Sequence, residues 1–203
     1  MLLVVGGHSR NIGKSSVVAG LIEALPEARW TAIKITQFGH GVCAEDGEEC
    51  SCSDLDHPFA IDEEREPGRT DTGRFLAAGA ERSLWVRTPV GQLGLAIPEL
   101  RRIVAQVGNV IVESNSLLDF FVPDLYVIVV DYRVADVKDS ARRFWNRADA
   151  IVETSARPEK LPWEGIPDRW LDGAPRFEAK PPEWVSPELA LFVREAGLKS
   201  RAG

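Results

Sequence analysis

The sequence predicts a three-layer α/β fold, with a mainly parallel central sheet and helices on both faces. Three observations carry that expectation. The chain opens on an apolar burst, Leu2-Leu3-Val4-Val5, which passes through a glycine-rich loop into Gly13-Lys14-Ser15 and an amphipathic run from Val17 to Leu25. Two later apolar runs, Val110–Val112 and within Pro123–Asp131, are continuous rather than alternating. Strands buried on both faces read that way, and they belong to parallel sheets covered by helices. Helical stretches separate the strand-like ones, as βα units require.

The order strand, glycine-rich loop, helix is that of a phosphate-binding P-loop. Small residues let backbone N–H groups converge on an anion, and the helix N-terminus adds partial positive charge. The candidate nucleotide-binding stretch is Gly7-His8-Ser9-Arg10-Asn11-Ile12-Gly13-Lys14-Ser15-Ser16. Within it Lys14 would reach the β- and γ-phosphates, Ser15 would ligate Mg²⁺, and Arg10 adds charge. Five residues separate Gly7 from Gly13, one more than usual, and His8 stands where the shorter loop has its first glycine.

Pro26-Glu27-Ala28 breaks the first helix, and Arg29–Thr36 reads as the second strand, with Lys34 near its carboxyl end. Ligands gather at that edge of an open parallel sheet, so Lys34 is a candidate second cation. Thr70 or Asp71 caps a short helix running to Ala78, and Arg69, Asp71 and Arg74 are candidates to line a phosphate or Mg²⁺ site there. Glu81–Thr88 is a third strand, and Gln92–Val107 is a helical stretch in which Pro98 marks a helix start. Asn109–Ser116 is a strand ending in Glu113, the Walker B arrangement in which the carboxylate holds Mg²⁺ or orients a nucleophile. A helix from Val134 to Arg147, a strand from Ala148 to Thr154, loop from Ser155 to Pro182, and a final helix opened by Ser186-Pro187-Glu188 complete the chain.

Length fits one domain spanning 1–203, carrying a Cys/His-containing insertion at about 38–70 and an irregular C-terminal extension at about 155–203. The insertion holds all three cysteines. Cys43, Cys50, Cys52 and His57 supply three thiolates and an imidazole, enough for a tetrahedral Zn²⁺ site, with His40 the competing ligand. An iron–sulfur cluster, a transient metal cargo or free cysteines would use the same residues. A net charge of −7 argues against binding a nucleic-acid backbone. No apolar run reaches the length of a membrane span, and the first strand lacks the flanks of a signal peptide, so a cytoplasmic location is the expectation.

Together, Gly13-Lys14-Ser15, Lys34, His57, Asp62, Pro67-Gly68-Arg69-Thr70-Asp71, Ala78-Gly79-Ala80 and Val112-Glu113 resemble the molybdopterin-guanine dinucleotide biosynthesis adaptor family of P-loop NTPases. The similarity covers roughly the first 130 residues. Loop spacing, Lys34 and Glu113 also resemble dethiobiotin synthetase, more distantly. The resemblance implies a P-loop NTPase fold, a bound ATP or GTP with Mg²⁺ on Ser15, Glu113 and Asp62 or Asp71, and a homodimer. Related GTPases carry Asn-Lys-x-Asp, whose aspartate reads guanine; this chain has Glu153-Thr154 in place of Asn-Lys, so the base stays open.

The functional expectation is a Mg²⁺-dependent nucleotide-binding adaptor with weak NTP hydrolysis, in cofactor biosynthesis or metal handling, with a protein or small-molecule partner. Lys14, Lys34 and Glu113 are its candidate catalytic groups. The alternative is an ATP-dependent small-molecule kinase or ligase, with Lys34 and Glu113 facing the substrate. A zinc-stabilised interaction domain whose P-loop merely binds phosphate is a third reading.

Overall fold

The computed structural model describes residues 1–38 and 58–200. β1 (Leu2–Gly7) leads into α1 (Lys14–Ala24), and β2 (Thr31–Phe38) follows. Next come β3 (Ala60–Glu64), α2 (Asp71–Ala77), β4 (Arg82–Pro89), α3 (Ile97–Gln106) and β5 (Val110–Glu113). β6 (Leu125–Val130), α4 (Asp139–Phe144), β7 (Ala150–Glu153), α5 (Arg169–Asp172), β8 (Arg176–Glu178) and α6 (Pro187–Ser200) complete the order.

Among the described residues these strands form one sheet of order β3-β4-β2-β5-β1-β6-β7-β8. Every pairing from β4 to β8 is parallel. Alternation along β1 sets the three layers. Leu2 and Val4 enter a core shared with Leu100 of α3 and Phe144 of α4, whereas Leu3 and Val5 enter one shared with Val17 of α1, Phe75 of α2 and Leu189 of α6. Each such aliphatic side chain removed from water contributes roughly 1.5–3 kcal/mol, so the doubly covered strands anchor the architecture.

Chain order puts the site where it is. From β1 the path crosses to β2, and β5 later fills the gap between them; after β5 the chain passes over β1 to β6. The crevice created by such a reversal opens at the carboxyl ends of the strands. Gly7, Lys34 and Glu113 all lie at that edge.

Local signals hold in most places. Thr70 caps α2 by accepting a hydrogen bond from the Gly73 amide at 3.0 Å. Pro98 sits in the first turn of α3, where its missing N–H costs nothing. Ser186 caps α6 by accepting from the Leu189 amide at 3.2 Å, and Pro187 is the first residue of that helix. Two expectations need correction. The insertion expected at about 38–70 contains β3, which lies antiparallel on β4. Its polar residues suit an edge: Asp62 pairs with Arg87 and Glu63 with Arg82, leaving a charged border that discourages further strand addition. The stretch from Ser155 to Pro182, read as loop, contains α5 and the three-residue β8, both too short to leave a period in the sequence.

Candidate phosphate-binding site at the carboxyl edge of the sheet

Gly13 caps α1 with φ 95°, a left-handed geometry that strains any residue bearing a side chain. A Cβ at Gly13 would also run into the Trp184 ring. Asn11 adopts φ 52°, which asparagine tolerates better than most residues. The loop therefore turns back on itself before the helix begins. Burial of Val17, Val18, Leu21 and Ile22 fixes α1 against the sheet, and with it the direction of its first amides.

Lys14 folds back over the loop and donates from Nζ to the Ser9 carbonyl at 2.6 Å. Burial pushes its pKa down to about 8; Glu113 and Asp71 pull the other way, against the repulsion of Lys138 and Lys34. No carboxylate lies within ion-pair distance of it among the described residues. A buried ammonium of this kind is poised for an anion.

Strand register builds the second part. Lys34 on β2 and Glu113 on β5 are directly paired across parallel strands, so their side chains emerge on the same face. Lys34 Nζ donates to Glu113 Oε1 at 2.7 Å, to Asp71 Oδ2 at 2.8 Å and to Ser15 Oγ at 3.3 Å. Ser15 in turn donates to Glu113 Oε2 at 2.7 Å. Burial opposes the charge on Lys34, but Glu113 and then Asp71 outweigh it, and its pKa lies above the ordinary lysine value. Asp71 is likewise partly desolvated, yet Lys34 holds its carboxyl below the usual range. Arg74 closes the group, donating to Ser16 Oγ at 2.9 Å.

The cleft above these residues has a volume of about 1320 Å³. The loop from Arg10 to Ser16 forms its floor, with Lys34, Asp71, Arg74 and Glu113 along one side. Lys138, Arg143 and Asp119 line it from the segments after β6 and β5, and Trp184 stands beside Gly13. Asn115 clasps the end of β1, accepting from the Gly7 amide at 2.9 Å and donating to the Gly7 carbonyl at 2.8 Å. Sequence reasoning missed Asn115, Lys138, Arg143 and Trp184. For Lys138 the available signal was an extra cation a few residues beyond an apolar strand; the others carry no local mark.

Several expected residues play other parts. His8 is fully buried, its Nε2 3.1 Å from the Val134 carbonyl and its ring 4.8 Å from Trp163 and 6.0 Å from Trp145. Burial lowers its pKa, so the imidazole is neutral and faces the core, not the cleft. Ser9 is also buried and donates to Asp136 Oδ2 at 2.9 Å, while Gly7 is taken up by Asn115. The cleft-facing part of the loop thus starts at Arg10. Asp62, expected to complete a Mg²⁺ site, pairs on the sheet edge with Arg87 at 2.5 Å, away from the cleft. Cys43, Cys50, Cys52, His57 and the competing His40 lie outside the described residues. Among those described, no group of three or more His, Cys, Asp or Glu is arranged to hold a metal ion. No described helix is long and apolar enough to cross a membrane.

No family model matches the chain, and no curated protein matches it. Two solved structures are similar. One is HypB from Helicobacter pylori in complex with nickel, with TM-score 0.52 and 12% identity over 98% of this chain and 88% of that one. The other is the "apo" form of LpxK from Aquifex aeolicus in complex with ATP, with TM-score 0.45 and 19% identity over 87% of this chain and 53% of that one. At 12% identity the likeness to HypB carries the fold and goes no finer; it does not single out the molybdopterin-guanine dinucleotide adaptors or dethiobiotin synthetase. With its parallel sheet, its strand–loop–helix at β1 and this likeness, the chain has the P-loop NTPase fold.

Proposed function

We propose that the protein binds a nucleoside triphosphate with Mg²⁺ at this loop and hydrolyses it slowly, acting as a nucleotide-dependent adaptor. The observation that carries the reading is the contact of Ser15 Oγ with Glu113 Oε2 at 2.7 Å beside Lys14, which has no ion pair among the described residues. Hydroxyl and carboxylate oxygens are the hard donors that Mg²⁺ prefers, and Asp71 offers a further one. Amides of the loop from Arg10 to Ser16, together with Lys14, would hold the phosphates. Bound Mg²⁺ would offset phosphate charge; Lys34 holds the Glu113 and Asp71 side chains in place when the metal is absent. The test is nucleotide titration with and without Mg²⁺. Ser15→Ala is expected to lose the Mg²⁺-dependent part of the affinity, and an unchanged Mg²⁺ response rejects the assignment.

A small-molecule kinase or ligase is the second reading, favoured by the size of the cleft. Ligand pockets commonly span about 300–1,000 Å³, and this one continues past the phosphate loop to Thr36, Gln37, Leu93 and Phe120. Turnover that appears only with an added metabolite would select it. The adaptor reading extends to a role in cofactor biosynthesis or metal handling, to a homodimer, and to Zn²⁺ on Cys43, Cys50, Cys52 and His57. Sedimentation tests the dimer. About one zinc per chain, lost in Cys50→Ser/Cys52→Ser, is the expected metal analysis.

A further inference from the structure

The segment joining β6 to α4 is fastened to the phosphate loop at three points. His8 Nε2 lies 3.1 Å from the Val134 carbonyl, Ser9 Oγ donates to Asp136 Oδ2 at 2.9 Å, and the Lys138 amide donates to the His8 carbonyl at 2.9 Å. The Trp163 indole adds a fourth bond, donating to the same Val134 carbonyl at 2.8 Å. A connection held this firmly places whatever side chain it presents.

What it presents to the cleft is Asp136 and Lys138. The Lys138 ammonium makes no hydrogen bond or ion pair among the described residues, although Asp136 is two positions away. That carboxylate is occupied by Ser9. Three other cleft cations are occupied: Lys34 is shared by Glu113 and Asp71, Arg143 is forked onto Asp119 at 2.8 and 3.0 Å, and Arg74 bonds Ser16. Lys14 and Lys138 repel each other, and although Glu113 attracts both, neither forms an ion pair with a carboxylate among the described residues. Holding two desolvated ammonium groups near each other is costly unless an anion joins them.

We propose that Lys138 is the binding residue for the terminal phosphoryl group of the ligand, opposite Lys14, so that the site discriminates triphosphate from diphosphate. This rests on the nucleotide reading above, but it makes a separate demand. Lys14 and the loop amides serve every phosphate of the chain, and their loss weakens all nucleotides. Lys138 comes from outside the loop and serves one end only. A charge-assisted hydrogen bond of this kind contributes roughly 10- to 100-fold in affinity.

The experiment is calorimetric titration of Mg·ATP, Mg·ADP and inorganic tripolyphosphate into the wild type, Lys138→Met and Lys138→Arg. The expected result is a loss of roughly 10- to 100-fold for ATP and tripolyphosphate in Lys138→Met, with ADP altered less than about threefold, and most of the loss recovered in Lys138→Arg. Should the methionine variant fail to fold, Lys138→Gln gives the same comparison. Equal losses for ATP and ADP, or no loss for either, overturn the proposal. A wild type that binds tripolyphosphate but neither nucleotide overturns the nucleotide reading; Lys138 then stands or falls on whether its variant weakens tripolyphosphate. A wild type that binds none of the three overturns both.

Discussion

Replacing Lys14 by methionine should stabilise the ligand-free protein while destroying phosphate binding. Burial lowers the Lys14 pKa from 10.5 to about 8. At about 1.4 kcal/mol per unit, the native state bears roughly 3 kcal/mol of strain from keeping the lysine charged at neutral pH. Methionine occupies a similar volume and carries no charge, so at about pH 7 the variant should gain a large part of that amount, roughly 1–3 kcal/mol. The pH dependence identifies the cause. Below about pH 8 the lysine is charged in both native and unfolded chains, and the full cost applies. Between about 8 and 10.5 the native lysine loses its proton first, so the wild type gains stability relative to the variant as pH rises. Above about 10.5 both states are neutral and the difference closes. Urea unfolding of both proteins from about pH 7 to 11 measures this directly. A methionine variant less stable than wild type at neutral pH, or a gain that does not shrink across this window, would refute the reasoning.

Other outcomes follow from the same geometry. Nucleotide affinity should be level below about pH 8 and fall as Lys14 deprotonates above it, read by titration at fixed ionic strength. Glu113→Ala should cost roughly 3–5 kcal/mol, because it strips the closest partner from the buried Lys34, and the double variant with Lys34→Met should recover much of the loss. Gly13→Ala should cost roughly 1–3 kcal/mol and weaken nucleotide binding, since alanine resists the φ of 95° and meets Trp184; Trp184→Ala should relieve only the second problem. Asp62→Ala should stay within about 0.5 kcal/mol of wild type, with unchanged Mg²⁺ dependence, because the Arg87 pair sits on the exposed sheet edge.

How much of this was legible in the sequence depends on the range of the interaction. Lys14, Ser15 and the helix they open were readable because glycine spacing, an apolar strand and a helix lie within one short stretch. Lys34 and Glu113 were readable as strand-end charges, and only the register of β2 against β5 turns them into a pair. His8 misled for a simple reason: its place in the loop suggested phosphate, but Trp145 and Trp163 provide an aromatic slot that takes the ring inward. Asp62 looked like a switch acid because edge strands and acidic loops share a polar composition. Asn115 was out of reach, and Lys138 offered only a cation a few residues beyond an apolar strand. What makes them matter is an approach to Gly7 and His8 across the fold, and no local pattern encodes that.

Those same long-range approaches bear on the order in which the chain becomes competent during synthesis. Ser15 meets Glu113 98 residues later, and His8 and Ser9 meet Val134 and Asp136 after separations of 126 and 127. Closing such loops costs entropy that only the assembled sheet recovers. The glycine-rich segment is made before the other parts of the site, yet it lacks its acid, its flanking connection and its opposing lysine until the chain has grown past residue 138. A nascent polypeptide of this protein should therefore ignore nucleotide until the segment around residue 138 has been made and has joined the sheet.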